Sequence, residues 1–283
     1  FALATQVFAM QRALVSSASP SQLERWLPSL MAGEAFGSFS MSEPDAGSDT
    51  ANLTTIAAEQ PDGSYLLNGT KTWVTLGPIC DVAIVFATTG ADKGSWGTTA
   101  FLVPADTPGF ERGPAIEKMG LTSCPFGELR FTDCRLPAEA VLGRPGSGAA
   151  IFARAVEAER VFLYAAQVGA MERVLDRASD HARTRMQGGT NIGSFQAVSH
   201  RIVDMRLRHE AARLLAYKSA VTMDRGQPIN LPAALAKLQI AEMAVASAVD
   251  AIQVFGASGY TVELETDRSG LVTDYPGVFK RLS

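Results

Sequence analysis

The chain has 283 residues, 47% of them hydrophobic and 19% charged, with a formal net charge of −4. This is the profile of an ordinary soluble globular protein, long enough for roughly two domains. Acids and bases are interspersed. That excludes the basic stripe of a nucleic-acid binder and the Lys/Arg cluster of a protein held on anionic membranes, and no run reaches the roughly 18 apolar residues of a membrane span. Cys80, Cys124 and Cys134 are unclustered, which fits reduced thiols and a cytoplasmic location. Neither they nor His181, His200 and His209 have ligand spacing, so no metal is expected.

Residues 1–34 read as helical, with Ser21 as N-cap and Glu24 as its capping-box partner. Phe1-Ala-Leu-Ala-Thr-Gln-Val-Phe8 opens mid-pattern without an initiator Met, and Phe279-Lys-Arg-Leu-Ser283 ends without a cap. Further residues are therefore expected beyond both ends. Residues 35–145 read as β, with strand-like runs at 36–41, 53–58, 65–74, 81–87, 98–103 and 128–133. Pro61-Asp-Gly63, Asn68-Gly69 and Pro108-Gly109 are turn signals. No long helical pattern intervenes, so a mainly antiparallel sandwich or barrel is expected. From Gly146 the period becomes 3.6. Ser147 caps a helix running to about Arg185, a second spans about Ser194 to Arg225, and a third opens at Pro228–Pro232 and reaches about Phe255. Residues 146–283 thus read as an antiparallel bundle. The fold class is α+β: a partial N-terminal helical region, a central antiparallel β domain and a C-terminal antiparallel helical bundle.

One residue in the first bundle helix stands out. At about 100° per residue, Arg154, Glu157, Arg160, Tyr164 and Gln167 share a polar side. Glu159 falls instead in line with Phe152, Val156, Leu163, Ala166 and Ala170. A carboxylate on an apolar stripe is costly unless it is paired, hydrated or used, and burial raises its pKa toward the range of a general base. A structural Glu that snorkels out or pairs with a neighbour fits the same pattern.

Four other segments each admit two readings. Ser42-Glu-Pro-Asp-Ala-Gly-Ser48-Asp49 is a Gly/Ser loop that can present donors to a phosphate, or an ordinary connection. Trp73 and Thr75 share a strand face that suits a planar heteroaromatic ring, or form a plain cross-strand pair. Arg183-Thr-Arg185-Met-Gln-Gly-Gly189 is a basic helix end with a glycine stop, or an anion site. Gln253-Val-Phe-Gly256-Ala-Ser-Gly259-Tyr260 is a glycine C-cap, or a place where a ligand approaches the backbone.

Together these segments resemble the acyl-CoA dehydrogenase family, in order and over nearly the whole chain. Ser42 to Asp49 is similar to the family's signature loop, and Asn68-Gly-Thr-Lys-Thr-Trp-Val-Thr75 to its second flavin segment. Arg185 through Gln196-Ala-Val-Ser199 is similar to its Arg…Gln segment, and Gln253 to Tyr260 to its Gln-Ile-Phe-Gly-Gly-x-Gly-Tyr motif. The resemblance implies a non-covalent FAD between β domain and bundle. Phe39, Met41, Ser42, Trp73 and Thr75 would line the isoalloxazine ring, with Thr75 near the reactive nitrogen. Arg185, Phe195, Gln196, Gln253 and Gly256 would hold the adenine and pyrophosphate half across a homodimer or homotetramer interface. Ser48 and Arg160 occupy positions linked to the pantetheine and nucleotide end of a thioester.

Many family members carry the base in a Glu-Gly-Thr motif. The matching stretch here, Glu265-Thr-Asp-Arg-Ser-Gly-Leu-Val-Thr-Asp-Tyr275, lacks it. Glu159-Arg160 instead resembles the placement in isovaleryl-CoA dehydrogenases, making Glu159 the expected base, with Glu263, Glu265 and Asp274 as rivals. The implied reaction is α,β-dehydrogenation of an acyl thioester, with an electron-transfer flavoprotein or O2 as acceptor. Val156-Glu-Ala-Glu-Arg-Val161 and Ala166-Gln-Val-Gly-Ala-Met-Glu172 resemble relatives acting on carrier-bound acyl or aminoacyl groups, so CoA and carrier thioesters both stand. A flavin oxidase or monooxygenase on this scaffold and a non-catalytic flavin-binding protein are the alternatives.

Overall fold

A computed structural model describes residues 2–90, 94, 96–118 and 121–256, and the backbone strands at 265–266, 272–275 and 279–280. The chain divides into two compact units. Unit 1 comprises Phe1–Glu117 and Leu121–Glu159; unit 2 comprises Lys118–Gly120 and Arg160–Ser283.

Unit 1 opens with helices α1 (Ala2–Thr5) and α2 (Arg12–Ser17), joined by a π-helical stretch at Gln6–Gln11, and then α3 (Pro20–Ala32). The π stretch carries a buried Gln6, whose amide exchanges hydrogen bonds with both backbone groups of Gly37. Gly37 has to be glycine because a Cβ there would lie 2.5 Å from the Met10 side chain. The capping box of α3 is Ser19 with Gln22, not Ser21 with Glu24. Pro20 at the first helical position fixes that start, since its missing N–H is one the helix cannot use.

The sheet contains β1 (Gly37–Ser40), β2 (Ile56–Glu59), β3 (Tyr65–Thr75), β4 (Val82–Thr88), β5 (Thr98–Pro104), β6 (Phe110–Arg112), β7 (Phe126–Leu136) and β8 (Val141–Leu142). The path runs β6-β7-β3-β2-β4-β5-β8, with β1 on β4. Pairing is antiparallel except at β1–β4 and β2–β4, which are parallel. Every residue of β4 is buried, because its two faces feed two cores. Ala83, Val85 and Ala87 join a cluster with Leu67, Phe101 and Leu129. Val82, Ile84 and Phe86 join one with Met10, Leu14, Leu30 and Ile151. A strand covered on both faces reads as a continuous apolar run.

Asn68-Gly69, expected as a turn, lies inside β3. The β3–β7 register shifts between Leu67 and Gly69, the extra residue of the bulge lying on β7 around Asp133 (φ 49°), opposite the positive φ of Gly69 (144°). A side chain there would also strike Thr55.

Unit 2 is built on α4 (Gly148–Thr184, whose first residues belong to unit 1), α5 (Gln196–Asp224) and α6 (Asn230–Phe255), with a small hairpin of β9 (Met186–Gln187) and β10 (Thr190–Asn191) between α4 and α5. Small residues dominate the buried line of α6: Ala233, Ala236, Ile240, Ala244, Ser247, Ala251 and Val254. By length and composition α6 would also pass as a membrane-crossing helix, the only described one that does. The backbone of β11 (Glu265–Thr266), β12 (Val272–Tyr275) and β13 (Phe279–Lys280) forms a separate antiparallel ladder.

Candidate functional site

In unit 1 the segment that follows β1 is fastened to β3. Thr72 N–H donates to the Ser42 carbonyl at 2.9 Å, and Lys71 Nζ donates to the Met41 carbonyl at 3.0 Å. Lys71 Nζ also pairs with Glu43 Oε1 at 2.8 Å, and neither side chain has any solvent exposure. Glu43 accepts further bonds from Thr54 N–H and Oγ1, each 2.6 Å, and from Thr55 N–H at 3.0 Å. Burial works to raise the Glu43 pKa, but hydrogen bonds from Lys71, Thr54 and Thr55 outweigh it and hold the carboxyl at about 2. Burial lowers Lys71 to about 8 against the pull of Glu43. Both groups are therefore charged at neutral pH.

The register of β3 against β7 slips again between Lys71 and Val74, inserting one residue. Trp73 sits at that bulge with φ 55°, a conformation that is strained for a bulky residue. Its effect is to turn the indole outward. Trp73 is 60% exposed while Val74 is buried, and Thr75 is half-buried. Among the described residues, the hydroxyls of Ser42 and Thr75 have no protein partner. An exposed indole beside free hydroxyls is a donor set that fits a planar heteroaromatic ring. Met41 is buried and Ser48 exposed.

Phe39 ties this face to α4. Its ring stacks on Phe152 at 5.9 Å and meets Phe86 edge-on at 5.0 Å. Glu159 lies seven residues along α4 from Phe152, about 10 Å up the same side. It is half-buried. The buried line is not the expected one, however. It runs through Ile151, Ala155, Ala158 and Val161, so Glu159, Phe152 and Val156 flank it, and Ala166 is exposed. Ala155 and Ala158 allow close packing in the middle of this line, which leaves the larger Phe152 and Val156 at its edge. Arg160, the next residue, is exposed and belongs to unit 2.

In unit 2 the remaining candidates gather at one end of the bundle. Arg185 follows the C-terminus of α4, Phe195 is the N-cap of α5, and Gln253 and Gly256 close α6. Ile192 N–H donates to the Arg185 carbonyl at 2.9 Å, which folds α5 back beside α4. His181 and Phe255 rings meet at 5.1 Å, which brings in the end of α6. The side chains of Arg185, Phe195, Gln196 and Gln253 are exposed. The N-terminus of α5 has no side-chain cap and no acid in its first turn. A free helix N-terminus beside an Arg suits a phosphate group, so this end fits the pyrophosphate half of FAD as the face at Trp73 fits its ring. Of the rival bases, Glu265 and Asp274 are register partners in the β11–β12 ladder; Glu263 and residues 257–260 lie outside the described residues. Lys71 and Glu43 stand inside motifs already singled out, yet sequence reasoning gave them no role.

Two family models match the chain: the acyl-CoA dehydrogenase middle domain over residues 38–134 and its C-terminal domain over 146–276. An L-prolyl–peptidyl-carrier-protein dehydrogenase of Pseudomonas fluorescens is 43% identical over 92% of this chain and 68% of the relative. A solved structure of PigA with FAD and proline aligns at TM-score 0.87 and 39% identity, covering 90% of this chain and 66% of that one. The crystal structure of the prolyl acyl carrier protein oxidase AnaB aligns at TM-score 0.89 and 39% identity, covering 95% and 71%. With both domain models matched and relatives at this identity, the chain belongs to the acyl-CoA dehydrogenase family.

Proposed function

We propose that this protein is an FAD-dependent dehydrogenase that introduces an α,β double bond into an acyl thioester, and that its substrate is an aminoacyl group, prolyl or similar, on a carrier protein. It is an oxidoreductase of CH–CH bonds, with FAD as cofactor. Phe39, Met41, Ser42, Trp73 and Thr75 hold the ring. Arg185, Phe195, Gln196, Gln253 and Gly256 reach the pyrophosphate and adenine of a neighbouring subunit's FAD, a role in keeping with their exposure. The apolar residues left exposed on α5 and α6, among them Leu207, Leu214, Leu235 and Leu238, support self-association of the chain.

FAD supplies the hydride acceptor. Glu159 supplies the base. Its carboxylate takes the α-proton, the C–H pair becomes the new Cα=Cβ bond, and the β-hydrogen departs with its electron pair, leaving an α,β-unsaturated thioester. Hydrogen bonds to the thioester carbonyl stabilise the developing enolate. Ser48 and Arg160, both exposed, are assigned to the pantetheine arm. The carrying observation is the convergence, within unit 1, of the Trp73–Thr75 face, the Met41–Ser42 segment and the Phe39–Phe152 stack that leads to Glu159. The carrier-protein substrate rests on likeness to the Pseudomonas dehydrogenase and to the two proline-linked structures.

A visible spectrum before and after adding prolyl thioesters tests the reading. Prolyl carrier protein bleaches the flavin and prolyl-CoA does not; equal bleaching by the CoA ester overturns the carrier assignment. Glu159→Gln keeps the bound flavin but slows bleaching by about 10²–10⁴-fold, and normal bleaching in that variant rules out Glu159 as base. Likeness to the oxidase AnaB favours a second reading, in which O2 reoxidises the flavin. Stoichiometric peroxide on admitting air to the reduced protein decides for it.

A further inference from the structure

We infer that the buried Glu43–Lys71 pair is a positioning device for the flavin ring, locking the Met41–Ser42 backbone to the Thr72–Trp73 bulge so that both ring-facing segments keep one geometry. The inference rests on the proposed FAD site. Its ground is the connectivity of two side chains. Glu43 gathers Thr54, Thr55 and Lys71. Lys71 gathers Glu43 and the Met41 carbonyl. A single pair thus ties three separate stretches of chain, two of which carry residues assigned to the ring.

A mere staple does not need charge. Two ions taken fully out of water are costly, and an apolar pair of similar volume commonly serves stability as well or better. What an apolar pair cannot do is fix a backbone carbonyl by a directed bond. Here Lys71 fixes the carbonyl of Met41, and the N–H of the next residue, Thr72, fixes that of Ser42. The bulge begins immediately after Lys71, so the same residue sets where Trp73 leaves the strand. Neither Glu43 nor Lys71 is assigned to touch the substrate or the ring; both act through Met41, Ser42 and Trp73.

The test uses the full chain purified with FAD and compares Glu43→Leu/Lys71→Met, Lys71→Arg and Thr54→Ala with the parent. The double variant removes both charges together, leaving no orphan ion. It is expected to melt close to the parent but to bind FAD at least about 10-fold more weakly, with altered visible circular dichroism of the bound flavin and a fall in kcat larger than the change in KM. Lys71→Arg, which keeps a cation, recovers part of the dichroism. Thr54→Ala removes one donor from an exposed residue and carries the test if the double variant does not fold; about 3-fold weaker FAD binding with shifted dichroism is expected. Parent-like FAD affinity and dichroism in the folded double variant, or in Thr54→Ala where the double variant does not fold, overturn the inference. A parent protein that binds no FAD sinks the functional reading instead.

Discussion

The two units bury polar groups on opposite terms. In unit 1 Glu43 and Lys71 are fully enclosed, and each is hydrogen-bonded to its partner and to surrounding chain. In unit 2 His209 and Ser247 are nearly as enclosed, at 1% and 2% exposure. Among the described residues, neither ring nitrogen of His209 nor the Ser247 hydroxyl has a partner. His209 lies between Met205 and Ala212 on α5, and Ser247 between Ala244 and Ala251 on α6. They therefore fall between the two apolar clusters of the bundle. In unit 1 the Thr55 hydroxyl is the comparable orphan. Directed bonding is concentrated where two backbone segments must be held against each other. The bundle interior relies on shape, and there an idle hydroxyl or imidazole is a tolerated cost of about 1 kcal/mol. Where unit 2 does pair a buried acid, at Asp250 (8% exposed), the bonds come from two arginines that are themselves partly exposed. Asp250 takes Arg201 at 2.5 Å and Arg208 at 2.6 Å.

The largest effect expected from this contrast is in Glu43→Leu alone. It strands the Lys71 ammonium in a dry site, and the folded state should lose about 3–5 kcal/mol, read from denaturant midpoints. The double variant with Lys71→Met should recover most of that loss. A single variant that costs under about 1 kcal/mol would mean that water reaches Lys71 and that unit 1 buries nothing special.

Much of this was legible beforehand, and the failures have physical causes. The 3.6-residue period and the glycine and proline stops located α4, α5 and α6 to within a few residues. Strand-like runs separated by turn signals located β1 to β5 and β7, while β6 and β8, with three and two residues, are too short to stand out. Asn68-Gly69 was misread because its dihedral preference serves a bulge as readily as a hairpin. The buried line of α4 was placed one residue off, since large side chains drew the helical wheel toward Phe152 and Val156 when Ala155 and Ala158 are the buried ones. The residues assigned to the ring were named through family resemblance, and the Trp73 bulge could not have been, because register is a property of two strands. Lys71 and Glu43 were passed over for a simpler reason: both residue types are almost always solvated, and only the partner set shows otherwise.

A smaller effect follows from pH. Glu43 has its pKa depressed in the folded protein from 4.5 to about 2. A depressed carboxyl contributes stability that is complete above its unfolded pKa and is lost as pH falls through the folded one. The window is therefore from about pH 4.5 down to about 2, and the contribution at stake is at most about 3 kcal/mol. Glu43→Gln cannot titrate there. The stability gap between parent and Glu43→Gln should narrow steadily as melts are taken from pH 5 to pH 3. A gap that stays constant across that range would show that hydrogen bonding to Glu43 does not depend on its charge.

The smallest effect lies in the bundle, and its sign is what matters. Ser247→Ala removes a hydroxyl that has no partner while keeping nearly the same volume, so no cavity opens. If that hydroxyl is idle, its burial is a net cost, and the alanine variant should be more stable by up to about 1 kcal/mol. Small residues already line the same stripe of α6 at Ala244 and Ala251, so the backbone spacing accepts the change. Thermal melts of parent and variant at neutral pH measure it directly. A loss of more than about 0.5 kcal/mol would mean that the hydroxyl is bonded in solution, and with His209 the next polar group along that layer, the bundle would then hold a directed polar layer of its own. The two units would no longer differ in how they bury polarity, and the case for singling out Glu43 and Lys71 would rest on their position beside Met41 and Trp73 alone.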